Sequence, residues 1–142
     1  MIQSMKTERP FTRLLDQLRS VGLRPTRQRL ALAKLLFDGM ERHVTAEMLH
    51  DEAQAARAPV SLATVYNTLH QFTDVGLLKE IMVNSGTSYF DTNTSHHHHF
   101  YCETSGELSD IDGDDVEIDL FPEPPLGKEV SGIDVIVRVK PN

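Results

Sequence analysis

The sequence predicts an α+β fold, in which an N-terminal winged helix-turn-helix is followed by a small α/β dimerisation domain. Three observations indicate this fold. Apolar residues at helical spacing fill the first half, two strand patterns joined by a turn come next, and a run of four histidines then opens a second, strand-rich segment. The 142 residues suffice for one ordinary domain or two small ones. We place the two domains at residues 1–92 and 93–142.

Four helices are expected in the first half, because each shows an apolar row with the spacing of one helical face. The rows are Phe11, Leu14, Leu15, Leu18 and Val21; Leu30, Ala33, Leu36, Phe37 and Met40; Ala46, Leu49, Ala53 and Ala56; and Leu62, Val65, Leu69 and Phe72. Gly22 is expected to end the first helix. The residues expected to cap the next three helices at their N-termini are Thr26, Thr45 and Ser61.

Strands are expected after the helices. Leu77–Val83 and Thr87–Asp91 read as a hairpin, because Asn84-Ser85-Gly86 between them is a turn signal. The histidine strand leads through a turn at residues 103–106 to Glu107–Ile111, and a short segment follows at Val116–Leu120. Prolines then prevent a long helix. In the last expected strand, the apolar residues Ile133, Val135, Val137 and Val139 occupy every second position. The C-terminal segment that begins after the hairpin has about 45 residues and is too small to bury a core alone, so we expect it to pair with a second copy of itself.

The histidine run at residues 96–99 leads directly into the apolar strand pattern Phe100-Tyr101-Cys102. On a strand, side chains alternate between two faces, so His97 and His99 would point one way and His96 and His98 the other. One strand could therefore supply two ligand sites. The plainer alternative is a solvated turn. We favour binding of a metal or haem by this stretch.

Charge is unevenly distributed along the chain, although the net charge is −7. Within residues 1–29 seven bases accompany only two acids; the bases are Lys6, Arg9, Arg13, Arg19, Arg24, Arg27 and Arg29. The fourth helix has an uncharged face rich in hydrogen-bonding groups, made of Thr64, Tyr66, Asn67, His70 and Gln71. Either feature could serve DNA binding, but an ordinary solvated helix face explains each of them equally simply. The order of the elements, helices followed by a β-hairpin as in a winged helix-turn-helix, makes DNA binding the leading interpretation.

Several classes of protein are disfavoured. No apolar run approaches the roughly 20 residues that span a bilayer, and the polar start lacks a signal-peptide core, which predicts a cytoplasmic protein without membrane contacts. The single cysteine, Cys102, excludes a disulfide framework and a multi-thiolate zinc site within one chain. A metalloenzyme is disfavoured because no His-Glu-x-x-His motif occurs and no activated nucleophile is evident.

Four segments, in order and at matching spacing, together resemble the Fur (ferric uptake regulator) family. They are Gly22–Arg29, His43–Glu47, Ala63–Leu69 and His96–Cys102. The resemblance spans nearly the whole chain. It implies a dimeric, metal-responsive transcription regulator that binds double-stranded DNA through a winged-helix domain and pairs through a C-terminal domain.

The resemblance also implies site residues. A regulatory metal site for Mn, Fe or Zn would consist of His43, Asp91, His97, His99 and Asp110, with aspartates where the family usually has glutamates. Part of a second metal site would consist of His96, His98 and Glu117, although Ile133 stands where its last histidine is expected. Tyr66 matches the family's base-contacting tyrosine, and Arg24 matches a basic residue that enters the minor groove. With the neighbouring bases and the polar helix face, the expected DNA contacts are Arg24, Arg27, Thr64, Tyr66 and Asn67.

Departures from the family pattern refine the expectation. Cys102-Glu103-Thr104-Ser105 replaces a Cys-x-x-Cys pair, so no structural thiolate zinc is expected, and Cys102 is interpreted as a buried strand residue. The missing thiols, the long histidine run and the proline-broken C-terminus are similar to the iron response regulator (Irr) branch. That similarity implies regulation of haem synthesis and iron homeostasis, with haem as effector on His96, His97 or His98. The alternative is a manganese- or zinc-responsive Fur-type repressor without haem sensing. In either case a dimer or a higher oligomer is expected.

Overall fold

The computed structural model describes residues 12–84 and 86–142, and the chain divides into two compact units, one ending at Thr94 and the other covering Ser95–Asn142. Apart from one two-residue strand at His43–Val44, the α-helices of the described residues precede the strands, which confirms the predicted α+β fold. The expectations for Lys6, Arg9, Phe11 and Ser85, and for the start of the chain at residues 1–10, lie outside the described residues. Within the described ranges, every helix is too short or too polar to cross a lipid bilayer.

The first unit contains four helices and a three-stranded antiparallel sheet. Its elements are helical residues 12–20 (α1), α2 at Arg27–Phe37, β1 at His43–Val44, α3 at Ala46–Ala55, α4 at Leu62–Asp74, β2 at Lys79–Asn84 and β3 at Thr87–Asp91. The sheet order is β1-β3-β2. The predicted caps are confirmed, since the hydroxyl oxygens of Thr26, Thr45 and Ser61 accept hydrogen bonds from backbone N–H groups in the first turns of α2, α3 and α4.

The helices bury their apolar rows in one core that also includes residues of the sheet. Its members include Leu14, Leu18, Leu32, Ala33, Leu36, Val44, Leu49, Ala53, Val65, Leu69, Phe72 and Phe90. Three residues predicted to face this core are exposed instead. Met40 and Ala56 lie beyond the last residues of α2 and α3, and Leu62 is the first residue of α4, where the apolar row no longer meets the core. The predicted apolar rows therefore reach beyond the buried part of these helices at their ends.

The sheet of the first unit differs from the expectation in two ways. Strand β1, which the sequence pattern missed, pairs His43 with Asp91 and Val44 with Phe90 on β3; two residues are too few to show alternation. Strand β2 begins at Lys79 and not at Leu77, because the chain there still closes the end of α4. Gly76 has a positive φ of 83°, and the Leu77 N–H donates to the Phe72 carbonyl over 2.9 Å.

The second unit is a three-stranded sheet with a long irregular connection. Its elements are β4 at His98–Cys102, β5 at Leu108–Ile111, a short 3₁₀ turn at Gly113–Asp115 and β6 at Ile136–Val139, in the order β5-β4-β6. Strand β4 runs antiparallel to β5 and parallel to β6. The predicted segment 116–120 is neither helix nor strand, and Ile133 and Val135 precede β6 rather than lie in it.

The interpretation of Cys102 as buried is wrong. The residue is the last of β4 and is partly exposed, because the chain leaves the sheet in the turn at residues 103–105. Hydrogen bonds from the Ser105 side chain, and then from the backbone N–H groups of Ser105 and Thr104, lower the pKa of its thiol.

Candidate metal ligands and nucleic-acid interface

The first unit supplies a histidine and an aspartate side by side. Asp91 lies on the central strand β3, where cross-strand pairing places His43 opposite it. The carboxylate is only 1 % exposed; its Oδ2 lies 3.2 Å from His43 Nε2, and its Oδ1 accepts a hydrogen bond from the Asn93 N–H over 2.9 Å. Buried carboxylates require such partners, because removal from water is costly when they are left unpaired. The pair offers one nitrogen and one oxygen donor.

The second unit brings together two histidines and an aspartate. His99 pairs across the sheet with Asp110, and the rings of His97 and His99 lie 4.5 Å apart. The two rings share a side as predicted, although β4 begins at His98 and His97 precedes the strand. Asp110 Oδ1 lies 3.2 Å from His97 Nε2 and 3.4 Å from His99 Nε2. One ligand atom from each of the three residues lies within 4.8 Å of the others. The fold therefore preforms a set of two nitrogens and one oxygen.

Hydrogen bonding orients one of these imidazoles. His97 Nδ1 lies 2.7 Å from the Ser95 carbonyl oxygen. A carbonyl can only accept, so Nδ1 carries the hydrogen and Nε2 is the ring atom directed at Asp110. This arrangement is typical of metal-binding histidines, in which the second ring nitrogen is held by a carbonyl or carboxylate. The imidazole and carboxylate donors in both units fit Mn, Fe(II), Zn or Co, and the donor types alone do not choose among them.

The opposite face of the histidine stretch carries His96 and His98, whose rings lie 5.0 Å apart. The two line a cavity of about 380 Å³ whose other walls are mostly apolar or glycine: Gly113, Val116, Ile118, Val130, Ser131, Gly132 and Ile133. His98 Nδ1 accepts a hydrogen bond from the Val135 N–H over 3.1 Å. Glu117 is exposed and does not line the cavity, so the described residues assemble no second ligand set from His96, His98 and Glu117.

A depression of about 430 Å³ lies between α4 and the start of α2, and we call it the α4 groove. It contains three of the expected DNA contacts. It is lined by Arg24, Thr26, Gln28, Arg29, Thr64, Asn67, Thr68 and Gln71. Arg29, which the sequence offered only as one base among seven, donates to Gln71 Oε1 over 3.1 and 3.3 Å and to the Arg24 carbonyl over 2.8 Å. Arg27 and Tyr66 line two other cavities of the same unit.

Tyr66 is held by an acidic residue that sequence reasoning did not single out. Its hydroxyl donates to Glu47 Oε2 over 2.8 Å. Glu47 lies in the first turn of α3, where the helix dipole favours a negative charge. The two residues are 19 positions apart, so no local sequence pattern predicts the contact. The hydrogen bond to Glu47 raises the pKa of Tyr66 above its ordinary value of 10.0, with smaller contributions from burial and from the charge of Glu47.

A titration of phenol ionisation tests this contact. The folded-state pKa of Tyr66 exceeds the unfolded value, so the contact stabilises the fold fully below pH 10, and that contribution is lost as the pH rises through the folded pKa. Glu47→Ala should lower the pKa of Tyr66 toward 10. The chain has no tryptophan and three tyrosines, so ultraviolet absorbance of phenolate reports it, and Tyr66→Phe identifies the Tyr66 component. Equal titration curves for the parent and Glu47→Ala would contradict the expectation.

Comparison with known proteins decides the family. The Ferric uptake regulator family matches residues 20–120, most of the chain. The chain belongs to the ferric uptake regulator family. The resemblance indicated by the sequence motifs is confirmed at this level. Membership of a family of transcription regulators also agrees with the prediction that the chain is not an enzyme.

Two curated relatives of the ferric uptake regulator family are peroxide-responsive repressors named PerR. The Staphylococcus aureus (strain Mu50) protein is 35% identical over 97 residues, covering 68% of this chain and 65% of the relative. The Staphylococcus epidermidis protein is 37% identical over 97 residues, covering 68% and 64%. The match thus spans slightly less than two thirds of either relative, and neither is described as an iron response regulator.

Solved ferric uptake regulators have the same fold. The Pseudomonas aeruginosa ferric uptake regulator with manganese is 25% identical with a TM-score of 0.69, covering 90% of this chain and 97% of that chain. The Vibrio cholerae ferric uptake regulator is 23% identical with a TM-score of 0.67, covering 89% and 98%. The likeness confirms a winged helix-turn-helix followed by a small C-terminal domain as the fold class of the chain.

Proposed function

We propose that the chain is a metal-responsive, DNA-binding repressor that acts as a homodimer. The observation that carries the proposal is the preformed set of His97, His99 and Asp110, because two imidazoles and a carboxylate around one point are a divalent-metal ligand set. Membership of the ferric uptake regulator family supports it.

The regulatory metal would be held by both units. In the proposal, His43 and Asp91 of the first unit join His97, His99 and Asp110 of the second. The ion would supply a cross-link between units, which is how metal binding could set the orientation of a DNA-reading module. Moving such an equilibrium from 1:99 to 99:1 requires about 5.5 kcal/mol of preferential binding. Manganese is the ion named for the Pseudomonas aeruginosa regulator, and iron and zinc suit the same donors.

DNA would be contacted by residues 1–92. The face of α4 with Thr64 and Asn67 is exposed or half-buried, polar and uncharged, and Arg24 lies in the same groove. Such a face can read base edges in the major groove, while arginines bind the backbone. Tyr66 is 36% exposed and already oriented by Glu47. The proposed contacts are Arg24, Arg27, Thr64, Tyr66 and Asn67.

Dimerisation would use residues 93–142. This unit is small for an independent core and exposes many large apolar side chains. They are Phe100, Ile118, Leu120, Phe121, Leu126, Val130, Val137 and Val139. A second copy of the chain could cover several of them. Pairing would also place two reading helices on the two halves of a palindromic operator.

A haem-responsive regulator of the Irr type is the second candidate. The observation favouring it is the cavity of about 380 Å³ beside His96 and His98, because haem needs an apolar slot and histidine is a common axial ligand. The lone Cys102, without a thiolate partner, also suits that branch. Haem would then oppose the metal-supported DNA-binding form. Without haem binding, the protein is a manganese-, iron- or zinc-responsive repressor.

The test compares DNA affinity of the chelator-treated, manganese-loaded and haem-loaded protein at one fixed salt concentration, because salt alone changes such affinities by orders of magnitude. The duplex is selected from a randomised pool by the manganese-loaded protein. Manganese should raise affinity at least tenfold over the chelated protein, and haem should lower it. Equal affinity with and without metal would remove the metal-responsive proposal. Failure of haem alone would remove only the second candidate.

A further inference from the structure

A cavity of about 320 Å³ in the first unit, which we call the arginine cavity, is lined by two arginines and no acidic residue. Its walls are Arg27, Gln28, Ala31, Arg57, Ala58, Pro59 and Val60. Among the described residues, neither Arg27 nor Arg57 forms a salt bridge. Both side chains are exposed. The cavity therefore presents two uncompensated positive charges, which suit an anion.

The backbone of Arg57 is held in a conformation that side chains disfavour. Its φ is 57°, and within residues 12–84 and 86–142 it is the only non-glycine residue with a positive φ. It is the second residue after α3, where its N–H donates to the Gln54 carbonyl over 3.1 Å and the Ala58 N–H donates to the Ala53 carbonyl over 3.0 Å. Glycine is favoured at this helix-ending position, because it has no Cβ to clash. Strained positions of this kind concentrate at functional sites.

The arginine cavity adjoins the proposed DNA surface. Gln28 lines both it and the α4 groove, which also contains Arg24, Thr64 and Asn67. The positive charge of Arg57 therefore extends the surface assigned to DNA from the reading face of α4 to the turn that precedes it. An anion bound by Arg27 and Arg57 would therefore be part of the DNA that contacts the α4 groove.

We propose that Arg27 and Arg57 together bind a backbone phosphate of DNA beside the face of α4. The inference rests on the proposed DNA-binding function and adds Arg57 to it. The planar guanidinium matches phosphate oxygens with two parallel N–H donors, and it keeps its charge at any physiological pH. Phosphate contacts fix the position of a protein on the duplex without reading its sequence.

The experiment measures affinity against salt concentration for two duplexes, the selected one and a scrambled one. With the manganese-loaded full chain, Arg57→Gly should weaken binding to both by a similar factor, about tenfold at 0.1 M salt for each phosphate contact that is lost. The slope of log affinity against log salt should fall by about 0.9 for each phosphate that the variant no longer binds, hence by nearly 2 in a dimer. Asn67→Ala, a base-reading change, should weaken the selected duplex alone.

Matched variants separate charge from structure. Arg57→Gly suits a positive φ, so its Tm should equal or exceed that of the parent, whereas a purely structural arginine would lower the Tm on removal. Arg57→Ala should weaken DNA binding by the same factor, and Arg57→Lys should retain most of the affinity. Lys128→Ala removes one positive charge from the second unit and should leave affinity within about twofold.

Each alternative outcome has a distinct meaning. Parent affinity and salt slope in Arg57→Gly overturn the inference while the proposed function stands. Loss of affinity confined to the selected duplex assigns Arg57 to base reading and overturns it as well. Calorimetric titration with inorganic phosphate should show no millimolar binding; binding that disappears in Arg57→Gly would assign the cavity to free phosphate instead. A parent protein that binds neither duplex in any metal state overturns the proposed function itself.

Discussion

His97→Ala should abolish the rise in DNA affinity that manganese produces, leaving the variant with the affinity of the chelator-treated parent. The substitution removes an imidazole whose Nε2 lies 3.2 Å from Asp110 Oδ1. Loss of one donor from a set of this size should weaken metal binding by at least about 100-fold, since changes to outer partners alone cost 10- to 100-fold. The measurement is a manganese titration followed by duplex binding at fixed salt.

His50→Ala is the matched control for this experiment. His50 lies on α3 near Asp51 and Gln54 and belongs to no candidate ligand set among the described residues, so its replacement should leave the metal response unchanged. Circular dichroism should show the same helix content in both variants, because His97 lies outside the helical unit and alanine is a better helix former than the histidine it replaces in α3. A His97→Ala protein that still responds fully to manganese contradicts the assignment of this ligand.

Phe72→Ala should reduce the free energy of unfolding of the first unit by about 3–5 kcal/mol, the usual cost of emptying a large buried aromatic site. Phe72 is fully buried, and its ring lies 6.1 Å from that of Phe37. Because a domain is stable by only about 5–15 kcal/mol, this variant should unfold at a much lower urea concentration. Urea titration followed by circular dichroism measures the change.

Leu62→Ala is the comparison variant from the same predicted apolar row. Leu62 is 37% exposed at the start of α4, so its replacement should cost less than about 1 kcal/mol. A cost for Leu62→Ala that matches that of Phe72→Ala would mean that Leu62 is part of the core, contrary to its exposure. The two variants thus test whether burial, rather than apolar periodicity, sets stability.

Local signals predicted the helical unit well. The caps at Thr26, Thr45 and Ser61 follow from the affinity of a hydroxyl oxygen for free N–H groups one turn ahead, and that interaction is confined to about four residues. The start of α4 at Leu62 follows from the cap at Ser61. The pairing of histidine rings followed from alternation along a strand, which is equally local.

Contacts between distant segments were not predictable in this way. Strand β1 exists because His43 and Val44 pair with residues nearly fifty positions later, and two residues carry no period of their own. The Tyr66–Glu47 hydrogen bond joins separate helices. The positive φ of Arg57 contradicts local preference, which favours glycine there. The metal assignments rested on family resemblance, and the structure adds the His43–Asp91 pair and the His97–His99–Asp110 set as observed geometry.

The sheet order of the second unit has a consequence for how the protein matures. His99 and Asp110 meet across a hairpin with a short turn, whereas β6 must return over a long, proline-rich connection to pair in parallel with β4. Short-range closures form faster than long-range ones, because less chain entropy is lost beforehand. The imidazole–carboxylate cluster can therefore form on the β4–β5 hairpin before β6 joins the sheet, so the grouping of His97, His99 and Asp110 does not wait for the long connection to close.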